Sequence, residues 1–106
     1  MSEQVQASHI LVSYTDARNA SSNLTKVEAL QYIEELKSKI LSGSKFSEVA
    51  AEFSDCPSAE KGGDLGMFNR GTMVEAFDIA AFGLEVGEIS EVIETEFGYH
   101  LIFRTQ

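Results

Sequence analysis

Apolar residues change their spacing several times along this chain, and the order of those changes restricts the fold more than any other feature. Val5–Val12 is a short run rich in Val, Ile and Leu, which predicts a strand. Further on the spacing turns helical. Leu30, Ile33, Leu36 and Ile40 share the inner side of one helix, and Phe46, Val49, Ala50 and Phe53 fall at i, i+3, i+4 and i+7 of a second. A short strand follows at Leu65–Phe68, then a third helix over Val74–Phe82 stopped by Gly83. Ile89–Glu94 and Tyr99–Arg104 read as two strands joined across Thr95–Gly98. Strand, two helices, strand, helix and hairpin predict an α+β domain with a small antiparallel sheet.

Local punctuation agrees with this order. Thr25 and Glu28 have capping-box spacing: Thr25 can accept from the Glu28 amide while Glu28 reaches back. Gly43 is placed to end the helix they open. Ser13–Leu24, with Asp, Asn and three Ser, reads as a loop. So does Ser54–Gly66, where Pro57 pushes Cys56 toward extended geometry and Gly62-Gly63 permits positive φ.

The chain has 106 residues, 43% of them apolar, which suits a single domain over residues 1–106. No internal repeat, low-complexity tract or dividing linker interrupts it. Lys+Arg 8 against Asp+Glu 17 gives a net charge of −9, which repels phosphate backbones and anionic lipid. Nucleic acid and membranes are therefore excluded as expected partners. No run approaches the roughly 20 apolar residues that span a bilayer, and the first ten residues lack a basic segment followed by an apolar one. The single cysteine, Cys56, cannot form an internal disulfide or a zinc site alone and suits a reducing compartment.

The residues able to carry chemistry are few. His9 lies in the first predicted strand, His100 in the last, and Cys56 in the loop between. A Cys/His pair can serve as nucleophile and base. It can equally be a small core hydrophobe beside structural donors, and no local protease signature accompanies Cys56. No glycine-rich nucleotide loop, HExxH or paired-cysteine spacing is present, so no metal or cofactor is expected.

Longer blocks take the reading further. Ala7-Ser8-His9-Ile10-Leu11-Val12, Phe53-Ser54-Asp55-Cys56-Pro57-Ser58-Ala59 and Gly62-Gly63-Asp64-Leu65-Gly66-Met67-Phe68 occur in that order. Arg70-Gly71-Thr72-Met73-Val74, Phe77, Ala80-Ala81-Phe82, Gly87-Glu88-Ile89-Ser90 and Phe97-Gly98-Tyr99-His100-Leu101-Ile102 follow. Together they resemble the parvulin-type peptidyl-prolyl cis/trans isomerases from about Val5 to Arg104. The resemblance implies a four-stranded antiparallel sheet surrounded by helices. It implies a cytoplasmic monomer that assists protein folding by isomerising Xaa-Pro bonds in proline-containing polypeptides without a cofactor.

By the same resemblance His9 and His100 become the tandem pair at the centre of the site. Cys56 matches the position facing the prolyl bond, and Thr95 a hydroxyl bonded near the histidines. Ser54 sits where the family often has another polar member of that network. Leu65, Met73 and Phe77 match the pocket for the proline ring, and Phe68 a further wall; Phe82 reads as plain core. One family branch reads phospho-Ser or phospho-Thr before proline through a basic cluster after the first strand. Here only Arg18 matches a basic position, Ser13 stands for a lysine and Asn19 for an arginine. A dianion needs several charge-assisted bonds, so phospho-specificity is not expected. Two other readings follow from the residues: a binding module of the same fold without turnover, and, more remotely, a cysteine hydrolase.

Overall fold

The computed structural model describes residues 4–18 and 22–106. Asn19 therefore lies outside the described residues. The elements are β1 (Gln4–Val12), α1 (Lys26–Leu41), α2 (Phe46–Phe53), a 3-10 turn (Pro57–Lys61), β2 (Asp64–Asn69), α3 (Glu75–Gly83), β3 (Ile93–Thr95) and β4 (Gly98–Arg104). The strands form one sheet in the order β2-β1-β4-β3, with every neighbouring pair antiparallel. This is the predicted α+β architecture. No helix among the described residues is long and apolar enough to cross a membrane.

Because strand side chains alternate between faces, β1 serves two cores at once. Ile10 and Val12 join Ile33, Leu36, Val49, Tyr99 and Leu101 in a cluster under α1 and α2. Val5 and Ala7 join Phe68, Phe77, Ala81 and Ile102 in a second cluster under α3. The α1 start is fixed by the expected box: the Glu28 amide donates to Thr25 Oγ1 at 3.1 Å and the Thr25 amide to Glu28 Oε1 at 2.9 Å. Gly63 carries a backbone requirement that no other residue meets. Its φ is +85°, and an added Cβ would lie 2.4 Å from the His9 carbonyl oxygen, while its own carbonyl accepts the His9 amide at 2.9 Å.

Several element boundaries differ from expectation; β1 and β4 each start one residue earlier. Val74 is extended, with φ −59° and ψ 152°, so α3 starts one residue later and includes Gly83. β2 begins at Asp64 and ends at Asn69. The largest difference is Ile89–Glu94, of which only Ile93 onward is strand, Ile89 making an isolated bridge to Phe103. Ser90 is the cause. Its amide donates to the Ile102 carbonyl at 2.8 Å, but the Ile102 amide returns to Ser90 Oγ at 2.9 Å instead of to a carbonyl. A side chain thus takes the bond that would have continued the ladder.

Candidate active site

On the face of β1 that carries Val5 and Ala7, the next positions are His9 and Leu11. Leu11 pairs with His100 on β4 and His9 with Ile102, which makes the two histidines diagonal neighbours. Their Nδ1 atoms are 3.2 Å apart and their rings nearly parallel, with centroids at 5.3 Å. Thr95 closes the other side. It ends β3 opposite Gly98, and the two-residue turn between them brings Thr95 Oγ1 to 2.7 Å from His100 Nε2. The same hydroxyl accepts the Phe97 amide at 3.2 Å. Phe77, from α3, meets both imidazoles edge-on at 5.5 Å.

This geometry limits the protons the pair can hold. Between two Nδ1 atoms one must donate and the other accept, so at least one ring is neutral. Burial lowers the His9 pKa to about 4. Burial, with a smaller contribution from the neighbouring His9, lowers His100 to about 3. Both rings are therefore uncharged at neutral pH. The proton chain runs Thr95–His100–His9 in one direction or the other and ends at His9 Nε2, a buried atom with no hydrogen-bond partner among the described residues.

Cys56 is half-buried and extended (φ −86°, ψ 142°), as the following Pro57 requires. Ser54 holds that loop: its Oγ accepts from the Leu11 amide at 3.0 Å and the Cys56 amide at 3.3 Å. Its bonds thus run to backbone, not to either imidazole, so Ser54 shapes the Cys56 loop from outside the histidine network. Asp55 completes the attachment. Its amide donates to the Leu11 carbonyl at 2.8 Å, and its Oδ2 accepts the Ser13 amide at 2.9 Å. The Ser13 hydroxyl in turn donates to the Phe97 carbonyl at 2.8 Å. Ser13 is buried and clasps the Cys56 loop to the turn that carries Thr95.

The four apolar residues lie together beside this network. Phe68 and Phe77 are buried, with ring centroids 6.3 Å apart, and half-buried Leu65 and Met73 pack against the same cluster. Phe82 joins that cluster, edge-on to Phe68 at 5.9 Å. A separate cleft of about 440 Å³ opens on the other side of the histidines. It is lined by His9, His100 and Cys56, and by Leu11, Ser13, Arg18, Leu24, Tyr32, Phe53, Asp55, Pro57 and Phe97 among others, but not by Leu65, Met73 or Phe77. Arg18 lines it while paired to Glu96, with Nη1 3.3 Å from Oε1. Sequence reasoning missed Asp55 and the Ser13 clasp. The one signal was the polarity of Asp55 between the predicted site residues Ser54 and Cys56.

The model of the rotamase family's PPIC-type PPIase domain matches residues 9–106. Among curated proteins, the chain is 42% identical to a peptidyl-prolyl cis-trans isomerase Pin1 of Malus domestica, covering 96% of this chain and 93% of that one. It is 40% identical to the Pin1 isomerase of Arabidopsis thaliana, covering 97% and 96%. Among solved structures it resembles the peptidyl-prolyl isomerase ESS1 of Candida albicans, with a TM-score of 0.93 and 41% identity over 97% of this chain and 63% of that one. It also resembles NmPin, the parvulin of Nitrosopumilus maritimus, with a TM-score of 0.69 and 46% identity over 100% and 99%. The sheet order, the histidine pair and these matches agree, and the chain belongs to the parvulin-type, PPIC-type family of peptidyl-prolyl cis/trans isomerases.

Proposed function

We propose that this chain isomerises Xaa-Pro bonds without covalent chemistry and without requiring a phosphate before the proline. In this reading Leu65, Phe68, Met73 and Phe77 receive the proline ring. His9, His100 and Thr95 form the floor of the site, Cys56 stands beside the rotating carbonyl, and Ser54 holds its loop. The observation that carries it is the uncharged histidine pair, bonded to each other and to Thr95 and set against the Phe77 edge.

The reaction asks for little else. An X–Pro bond crosses a barrier of about 18–20 kcal/mol because amide resonance is lost on twisting. Lowering it by about 5–6 kcal/mol accelerates exchange roughly 10⁴-fold. No bond breaks and no proton leaves. An apolar surround favours the twisted amide, whose charge separation is smaller, and a clamp on the ring favours the twisted state over either planar one. A thiolate nucleophile would want a positive neighbour. The imidazoles are uncharged at neutral pH, and Arg18 is engaged by Glu96. Since uncatalysed prolyl exchange takes tens to hundreds of seconds, faster exchange also assists protein folding.

Indifference to phosphate rests on charge. Among the described residues, Arg18 is the one Lys or Arg side chain lining the cleft beside the histidines, and it is paired to Glu96. Ser13 spends its amide and hydroxyl on Asp55 and Phe97. Asp55 and Glu96 add negative charge, and the chain carries a net −9. The test is kcat/KM for matched Ala-Pro and phospho-Ser-Pro peptides by NMR exchange at two salt concentrations. Ala-Pro should be turned over at least as fast, with the gap widening at low salt. A clear preference for the phosphopeptide would overturn the charge argument. Exchange at the uncatalysed rate for both would favour the binding module.

A further inference from the structure

One wall of the proline pocket stands where regular strand geometry would not put it. Residues opposite each other in β1 and β2 share a face of the sheet. Phe68 pairs with Val5, and both belong to the cluster under α3. Met67 pairs with Gln6 and Asp64 with Ser8, on the opposite face. Leu65 is three positions from Phe68, so strict alternation would turn the two away from each other. Leu65 nevertheless packs against the same cluster as Phe68.

A bulge resolves the conflict. Between Gln6 and Ser8 the register shifts, so that two steps along β1 face three along β2, from Met67 to Asp64. The extra residue is Gly66, whose φ of +72° lies in the left-handed region typical of a glycine bulge. One inserted residue moves what lies beyond it to the other face, which returns Leu65 to the side of Phe68. Glycine makes this geometry available, and Asp64 selects it. Its Oδ1 accepts the Gly66 amide at 2.9 Å, while Gln6 Nε2 donates to Oδ1 at 3.2 Å and to Oδ2 at 3.4 Å. The carboxylate thus ties the bulge to its own strand and to β1. Just ahead of it the Gly63 carbonyl accepts the His9 amide at 2.9 Å, which pins the same segment beside the histidine floor.

We infer that Asp64 is a positioning residue of the isomerase site: by holding the bulge at Gly66 it turns Leu65 into the pocket for the proline ring. The inference rests on the isomerase reading and on the proline pocket proposed above. Asp64 itself faces away from that pocket, on the side of Gln6 and Ser8. Because β2 is an edge strand, one neighbour alone fixes its register. Without the carboxylate, β2 relaxes toward regular pairing and Leu65 moves to the face of Met67. The ring then loses one wall of its clamp while His9, His100 and Thr95 keep their bonds.

The experiment is NMR exchange spectroscopy on an Ala-Pro peptide, with kcat/KM referred to folded protein. The variants are Asp64→Ala, Asp64→Asn, Gly66→Ala and Leu65→Ala, and Leu65→Ala combined with Asp64→Ala or with Gly66→Ala. Asp64→Ala should lose roughly fivefold or more, the scale on which neighbouring residues couple. Asp64→Asn keeps an oxygen for the Gly66 amide and should retain most of the turnover. Gly66→Ala is the independent reading should Asp64→Ala fail to fold. Its Cβ would meet nothing within 4 Å, so only the left-handed backbone is penalised, and turnover should fall as in Asp64→Ala. Neither change should lower kcat/KM further once Leu65 is alanine, and NOEs from the Leu65 methyls to the rings of the α3 cluster should weaken in both single variants. Losses that add in full to that of Leu65→Ala overturn the positioning role, as does parental turnover in Asp64→Ala and Gly66→Ala. Parental turnover in folded Leu65→Ala removes the pocket wall and the inference with it, and leaves catalysis standing. Absence of turnover in the parent protein overturns the inference together with the isomerase reading.

Discussion

The histidine pair makes stability depend on pH in a window where few other groups titrate. The perturbation is acidification from pH 8 to pH 5. In the unfolded chain both histidines ionise near 6.5, whereas burial holds His9 at about 4 and His100 at about 3 in the fold. A folded pKa below the unfolded one means that the unfolded state binds more protons between them, so stability rises with pH there. The contribution is complete above about 6.5 and is lost as pH falls through that value toward 4 and 3. At pH 5 an unfolded imidazole lies 1.5 units below its pKa while the folded one is still mostly neutral. Each histidine then costs about 2 kcal/mol and the pair about 4, a large part of the roughly 5–15 kcal/mol typical of a domain.

Urea unfolding at pH 8, 6.5 and 5 measures the loss directly. The chain holds only two histidines, so imidazole NMR shows two titrations and no others. Neither ring should titrate near 6.5 while the protein is folded, and turnover per folded molecule should stay flat from pH 8 to 6. Midpoints near 6.5 in the folded protein, or equal unfolding free energies at pH 8 and 5, would refute the buried, neutral pair.

Three substitutions test the remaining parts of the site. Phe77→Ala should cost about 3–5 kcal/mol, as deletion of a buried ring does, and should lower turnover further than melting explains; wild-type turnover in a folded variant would sink the pocket assignment. Gly63→Ala should destabilise by at least about 1 kcal/mol, because its φ is +85° and the new Cβ meets the His9 carbonyl, and should shift the His9 resonances; a melting temperature equal to the parent's would contradict the close approach. Cys56→Asp should keep substantial turnover if that side chain acts only as a polar neighbour; near-complete loss in both Cys56→Asp and Cys56→Ser, with normal melting, would argue for covalent chemistry.

Legibility in the sequence tracked how local the cause was. The α1 start could be read because Thr25 and Glu28 are three residues apart and bond each other. The β3 boundary could not, because it depends on Ser90 meeting Ile102, twelve positions away, and alternation of apolar residues carries no trace of that bond. The site divides in the same way. His9, Cys56 and His100 stood out as the rare chemical types, and the family blocks supplied their company. That Thr95 reaches His100 follows from a tight turn. That Ser54 bonds Leu11, and that Ser13 bonds both Asp55 and Phe97, depends on how β1 and two loops are stacked, with separations of 42 to 84 residues. The cleft beside the histidines is of this non-local kind as well, since its walls come from β1, β4, two helices, two loops and a turn.

These long-range bonds also explain how a small sheet holds its site without help from surface charge. The Arg18–Glu96 pair is exposed at both ends, 64% and 50%, and such pairs contribute little after side-chain ordering and salt screening. The Ser13 clasp is different, because Ser13 is 6% exposed, so its amide would be stranded if Asp55 moved and its hydroxyl if Phe97 did. From Asp55 the bonds run through Ser13 to Phe97, from the Phe97 amide to Thr95, and from Thr95 to His100. The loop carrying Cys56 is thereby tied to the histidine floor along a path that never leaves the protein. A rotating amide is stabilised only by groups already in place when it twists, so fixed spacing across the bond is the property the reaction uses. A serine suits the Ser13 position for that reason: it is small enough to be buried and carries a hydroxyl able to reach the next segment.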